Sequence, residues 1–280
     1  DLIFPPDNLL RAWQSVNNRV TVDPDMAHMP DFSALLSRLT INKGVVKKQF
    51  AAAETTYDDA AEIQSIVANN IATAIPCISN ADILEIGAGS GLLTKLMQQR
   101  VSNCRITTLD LTPTAIPSKN GNAIATIEGD AELTIRALPD ESVDLIVSSS
   151  TIQWFNSPRR FLEQVARVLR PGGKACIATF GAQTLATISE IAPEGALHYS
   201  PIELPEGVEG DITSQIITLS FPSATEALRH LQLTGVNGSR RSLTSVASMK
   251  LLLKAICEDN GRRARLSFEE VTIIFTKKAL

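Results

Sequence analysis

Ile83-Leu84-Glu85-Ile86-Gly87-Ala88-Gly89-Ser90-Gly91-Leu92 decides the fold of this 280-residue chain. An apolar run bearing one carboxylate enters three glycines at alternate positions, and a helical pattern, Gly91–Gln99, follows. Buried strand, tight turn and helix is the local unit of an α/β sheet. Glycines there permit backbone angles closed to other residues and let a ligand approach the main chain. The helix start adds unpaired N–H groups. A dinucleotide site uses the spacing G-x-G-x-x-G. Counted from Gly87, its third glycine falls at position 92, which is Leu92. The acidic Glu85 two residues ahead of the turn repels a pyrophosphate and suits a cation.

Outward from this turn, strands and helices alternate. Strands are predicted over Ala81–Ile86, Arg105–Leu109, Ala123–Ile127, Val143–Ser148, Lys174–Phe180, Ile216–Phe221 and Val271–Thr276. Helices are predicted over Tyr57–Ile75, Phe161–Leu169, Ala224–Leu233 and Leu243–Ile256, with Arg170-Pro171-Gly172-Gly173 stopping the second. This predicts an α/β fold, a seven-stranded, mostly parallel, Rossmann-like sheet with helices on both faces. Residues 181–210, with Pro193, Pro201 and Pro205, break the rhythm and read as a lid or small insertion. Residues 1–40 have a different texture, so the expected division is 1–40 and 41–280.

Composition narrows the function. Apolar residues make up 44% and charged residues 20%, as in ordinary globular chains. The net charge of −4 lacks the basic excess of a nucleic-acid binder. No stretch has the length of a membrane span, and no signal-peptide pattern is visible at the N-terminus. Cys77, Cys104, Cys176 and Cys257 lie far apart with no C-x-x-C pair, which argues against a zinc ribbon, a metal site or a disulfide framework. Reduced thiols and a cytoplasmic location are expected. Residue 1 is Asp rather than Met, so a processed chain, or one cut from something longer, is expected.

The glycine turn, with Glu85, Gly87, Ala88, Gly89 and Gly91, is similar to the first motif of class I S-adenosylmethionine-dependent methyltransferases. Asp110, followed by Leu111, ends the second strand, where an acidic residue can accept from both ribose hydroxyls. Gly129-Asp130-Ala131 follows the third strand. By the resemblance, Asp130 accepts from the adenine amino group and the Ala131 amide bonds the ring; an Asp there would also cap a helix. Ser148 and Ser149 end the fourth strand beside the cofactor. The implied cofactor is S-adenosylmethionine, with S-adenosylhomocysteine as product.

Three further segments are Val45–Gln64, Thr151-Ile152-Gln153-Trp154-Phe155 and His230-Leu231-Gln232-Leu233-Thr234-Gly235-Val236-Asn237-Gly238. These resemble malonyl-[acyl-carrier protein] O-methyltransferase, the family that starts biotin synthesis. Leu266-Ser267-Phe268-Glu269 departs from that family's entry into the last strand. The resemblance implies methyl transfer to the free carboxylate of malonyl-acyl-carrier protein, with Tyr57 closing over the methionine end and Gln153 and Trp154 walling the acceptor pocket. A malonyl carboxylate is ionised at neutral pH, so no general base is required. Arg229, Arg240 and Arg241 are candidates to hold the malonyl carboxylate or the carrier's phosphate. The acidic carrier should dock on a basic patch, with Arg240-Arg241 favoured over Arg159, Arg160, Arg167 and over Arg262, Arg263, Arg265.

Asp1-Leu2-Ile3-Phe4-Pro5 and Ala27-His28-Met29-Pro30 resemble the tail of an α/β-hydrolase, in which Asp and His complete a serine triad. No G-x-S-x-G elbow accompanies them, so no hydrolase activity is expected from this chain. A fused or partner esterase that removes the same methyl group is one expectation. Three other functions stay open: a methyltransferase acting on another carboxylic acid or ring, a non-catalytic cofactor-binding scaffold regulating an esterase, and, more remotely, a dinucleotide oxidoreductase.

Overall fold

A computed structural model describes residues 41–53, 61–186, 202–233, 256–258 and 263–279. The hydrolase-like Asp1 and His28, together with Tyr57, Arg240, Arg241 and nearly all of the helix predicted over Leu243–Ile256, lie outside the described residues.

Among the described residues seven long strands form the main sheet: β1 (Asp82–Ile86), β2 (Arg105–Asp110), β3 (Ala123–Glu128), β4 (Val143–Ser149), β5 (Leu169–Phe180), β6 (Val208–Phe221) and β7 (Arg263–Lys277). Their order is β3-β2-β1-β4-β5-β7-β6, and the two-residue strand Cys257–Glu258 adds to β7. Neighbours from β3 to β5 run parallel, while β7 is antiparallel to both β5 and β6. The sheet is therefore mostly parallel, as its residues predict.

Among the described residues six α-helices flank it: α1 (Lys43–Ala53), α2 (Glu62–Ala74), α3 (Leu92–Met97), α4 (Ala131–Thr134), α5 (Pro158–Val168) and α6 (Ala224–Leu233). Alternate residues of the central strands feed two apolar layers. Ile83, Ile106, Leu145 and Val147 join Ile63, Val67 and Ile71 of α2 on one face. Leu84, Ile86, Leu109 and Ile146 join Phe161, Leu162 and Val165 of α5 on the other. The same alternation turns Glu85 toward the α2 and α3 side.

Three boundaries differ from the sequence expectation. β6 and β7 pair with each other from Val208↔Lys277 to Phe221↔Ala264, so both strands begin earlier than predicted. Most of β6 is exposed, so its polar half carries no apolar alternation to read. Residues 208–210 consequently belong to a strand and not to the insertion predicted over 181–210. Arg170-Pro171-Gly172-Gly173 lies within β5 as an irregularity: Val143 pairs with Leu169, but Leu145 pairs with Lys174. Third, α1 was not predicted. Asn42 Oδ1 accepts from the amides of Gly44 at 2.9 Å and Val45 at 3.2 Å, which starts this helix.

No helix among the described residues is long and apolar enough to cross a membrane.

Candidate active site

A cleft of about 410 Å³ opens at the C-terminal ends of β1, β2, β3 and β4. Ligands in open α/β sheets bind at this edge, where the strand order reverses. Here the reversal lies between β1 and β4.

The turn after β1 forms its floor. Gly87 has φ +70° and Gly91 has φ +82°, both in the left-handed region. A Cβ on Gly87 would clash with the Thr151 side chain, so the turn admits no larger residue without displacing it. Gly87 N donates to Leu109 O at 2.7 Å, and Gly89 N donates to Asp110 Oδ2 at 2.8 Å. Asp110 Oδ1 accepts from Thr112 N at 2.7 Å. One carboxylate thus braces two loops and retains lone pairs for a ligand.

Glu85 is 1% exposed and lines the cleft. Burial pushes its carboxyl up to about 7; the neighbouring Thr94 partly offsets this, and the Asp110 charge adds to it. Glu85 Oε2 has no hydrogen-bond partner among the described residues. Three further lining residues carry a buried polar atom with no partner among the described residues: Gln64 Oε1, Ser90 Oγ and Ser150 Oγ. Burying such atoms unpaired is unfavourable by about 1–3 kcal/mol each, so the cleft is built for a polar ligand.

Asp130 caps α4 by accepting from Glu132 N at 3.0 Å. Lys43 of α1 lies 2.8 Å from Glu132 Oε2 and 3.6 Å from Asp130 Oδ1, with its ammonium 4.3 Å from the centre of the Phe155 ring. The Glu132 carboxylate also accepts from the amides of Asn156 at 3.0 Å and Ser157 at 2.8 Å. Asn156 in turn holds the backbone N–H and C=O of Ile41. Lys47 pairs with Glu128, and Phe50 meets Trp154 edge-on at 5.7 Å. α1 is accordingly the roof of the cleft.

Of the residues predicted from sequence, Glu85, Gly87, Ala88, Gly89, Asp110, Leu111, Asp130, Ala131 and Trp154 line this one cleft. Gly91 lies outside the lining and serves the turn, as the N-cap of α3. Ser148 is buried and donates to Ile86 O at 2.9 Å, tying β4 to β1, while Ser149 and Ser150 face the cleft. Gln153 is also outside the lining: its amide nitrogen donates to Ser150 O at 2.7 Å and its oxygen accepts from Thr179 at 2.9 Å. Arg229 is exposed on α6, away from the lining. Arg167 is held by Asp140 and by the carbonyls of Ile135 and Leu138, which occupies one of the three arginines of that candidate dock.

Sequence reading missed Lys43, Val46, Lys47 and Phe50 of α1, and Gln64 of α2, all on the lining. A polar Gln64 amid Ile63, Val67, Ala68 and Ile71 was the available signal.

Residues 84–177 match the family described as "Methyltransferase domain". A malonyl-[acyl-carrier protein] O-methyltransferase of Bacteroides thetaiotaomicron is 30% identical over 213 residues, covering 71% of this chain and 79% of that protein. The chain belongs to the malonyl-[acyl-carrier protein] O-methyltransferase family. Its relative from Bacteroides fragilis is 28% identical over 254 residues, covering 85% of this chain but 51% of that longer protein. Among solved structures, the YcgJ protein of Bacillus subtilis superposes with TM-score 0.53 at 16% identity, covering 76% of this chain and 99% of that one, a likeness of fold.

The methyl donor of this methyltransferase family is S-adenosylmethionine, and the cleft fits it. The donor carries an ammonium, a sulfonium, two ribose hydroxyls and an adenine amine. The unpartnered Glu85 Oε2, together with the carboxylates of Asp110 and Asp130 at the next two strand ends, forms a row of acceptors complementary to those groups.

Proposed function

We propose that this chain transfers a methyl group from S-adenosylmethionine to the free carboxylate of malonyl-acyl-carrier protein, giving a methyl ester for the pimelate stage of biotin synthesis. The observation that carries this reading is a buried carboxylate, Glu85, whose Oε2 has no partner among the described residues, beside the glycine turn of a chain in this family.

When bound, the cofactor supplies a methyl group on a cationic sulfur. Glu85 and the turn 87–91 hold its amino-acid end, Asp110 its ribose, and Asp130 with Ala131 its adenine. α1 covers the cleft through Lys43, Lys47 and Phe50 and excludes water. Trp154 walls the acceptor side, and the family resemblance alone gives Tyr57, outside the described residues, the role of closing over the methionine end. Gln153 acts on that wall from behind, through the Ser150 carbonyl. The acceptor carboxylate is already anionic, so alignment in a dry cleft is the main requirement. Arg229, Arg240 and Arg241 stay the proposed cations for the carboxylate or the carrier, with Arg240 and Arg241 preferred, because Arg229 is exposed away from the cleft. The division at residue 40, and an esterase partner, rest on the residue pattern alone.

With malonyl-acyl-carrier protein and malonyl-coenzyme A offered side by side, labelled S-adenosylmethionine is expected to give a base-labile ester on the carrier protein. Cofactor binding with no transfer to either thioester would favour the scaffold reading instead.

A further inference from the structure

We infer that Gln64 of α2 is a binding residue for the ammonium of the cofactor's methionine end, acting together with Glu85. The inference rests on the proposed function, since it requires a cofactor that carries an amino-acid group.

Gln64 is the anomaly on its helix. α2 presents Ile63, Val67, Ala68, Ile71 and Ala72 to the core, and Gln64 sits among them at 5% exposure. Its amide oxygen has no hydrogen-bond partner among the described residues. Such an amide amid apolar neighbours lowers stability in the empty protein, and a Met or Leu there would pack without that loss. The side chain is not sealed in the core, however. It lines the same cleft as Glu85, and so does Ala68 one turn further along the helix.

Glu85 comes to the same place from below. The two-residue alternation of β1 sends Glu85 to the face on which Ile83 meets Ile63 and Val67 of α2. Gln64 and Glu85 thus both line the cleft, and each carries a buried acceptor oxygen, Oε1 and Oε2 respectively, that has no partner among the described residues. Cavities that gather acceptors want a group with several donors. A primary ammonium offers three N–H bonds and a positive charge. The sulfonium has no N–H, and the ribose and adenine ends have their own acceptors in Asp110 and Asp130. The amino group of the methionine moiety is the donor that matches. Ser90 and Ser150 supply hydroxyls on the same lining, suited to the carboxylate that accompanies the ammonium.

Calorimetric binding to the full chain tests this with three ligands: S-adenosylhomocysteine, its deaminated analogue, and methylthioadenosine, which lacks the amino-acid end. Gln64→Met preserves length and helix propensity. It is expected to weaken S-adenosylhomocysteine about tenfold, the loss of one hydrogen bond to a charged group. Binding of the deaminated analogue and of methylthioadenosine should stay within about twofold. Equal weakening of all three ligands would mark a structural residue and overturn the inference. So would weakening of the deaminated analogue as large as that of S-adenosylhomocysteine, or no change at all. Should Gln64→Met fail to fold, Gln64→Asn, one methylene shorter, is read against the same ligands and the same outcomes. Failure of the unaltered chain to bind S-adenosylhomocysteine would overturn the proposed function itself, a result distinct from any of these.

Discussion

Asp110 Oδ2 accepts the amide of Gly89 at 2.8 Å, so the carboxylate that ends β2 holds the glycine turn that ends β1. Its other oxygen holds Thr112 N. Removing Asp110 therefore acts twice, on the turn and on the ligand. Asp110→Ala is expected to weaken S-adenosylhomocysteine about 100-fold and to lower stability by about 1–2 kcal/mol. Calorimetry and a denaturant midpoint check it, and unchanged affinity would remove Asp110 from the site.

Gly87→Ala places a methyl group on Thr151 in a left-handed residue. The backbone alone disfavours it by about 1–2 kcal/mol. Loss of detectable cofactor binding is expected, with stability down by about 2–3 kcal/mol. Thr151→Gly in the same chain should recover part of the stability but little of the binding, because the turn stays strained. Full recovery of both would show that the clash alone matters.

Glu85 sets a pH dependence. Burial raises its carboxyl to about 7 from an ordinary value of 4.5. In the empty protein this group favours the folded state fully below the ordinary value. That contribution, roughly 3 kcal/mol, is lost as pH rises toward and through 7. Cofactor binding runs the other way, since a cation prefers the ionised carboxylate. Affinity for S-adenosylhomocysteine should rise between pH 6 and pH 8 and then level off. Glu85→Gln should flatten both profiles, stabilise the empty protein at pH 8 and weaken binding. A stability profile unaltered by that substitution would show that Glu85 does not titrate in this range.

Lys43 is the latch of α1, reaching Glu132, Asp130 and the Phe155 ring. Lys43→Met is expected to speed release of S-adenosylhomocysteine several-fold in stopped-flow traces and to expose α1 to protease. The partly buried pair contributes about 1–2 kcal/mol, less at high salt. Release rates equal to those of the unaltered chain would mean that α1 is held by Phe50 and Trp154 instead.

Trp154 is 6% exposed, part of the core and of the cleft wall at once. Trp154→Ala should lower the folding free energy by about 3–5 kcal/mol. Trp154→Phe should keep the fold while reducing transfer more than cofactor binding, as a wall on the acceptor side requires. Equal loss of both would move Trp154 to the cofactor side.

Much of this was readable in the chain. β1, β2, β4 and the glycine turn were visible because parallel strands buried on both faces are rich in apolar and β-branched residues. Asp110 was visible because it closes β2, whereas Asp130 follows the mostly exposed edge strand β3 and was visible through the family resemblance. The early half of β6 was not, because an exposed edge strand carries no apolar alternation. α1 was missed as a roof because its lysines acquire meaning only beside Glu128, Asp130 and Glu132, which are far along the chain.

Two glutamines mark the division most clearly. The residues alone determined a strand–glycine turn–helix for a cationic cofactor, since spacing and the acid of Glu85 are local properties. Only the tertiary structure decided that Gln153 spends its amide on Ser150 and Thr179, while Gln64 lines the cleft with an amide oxygen that has no partner among the described residues. The reason is physical: a polar side chain is available to a ligand only when no partner has been folded against it, and those partners arrive from distant parts of the sequence.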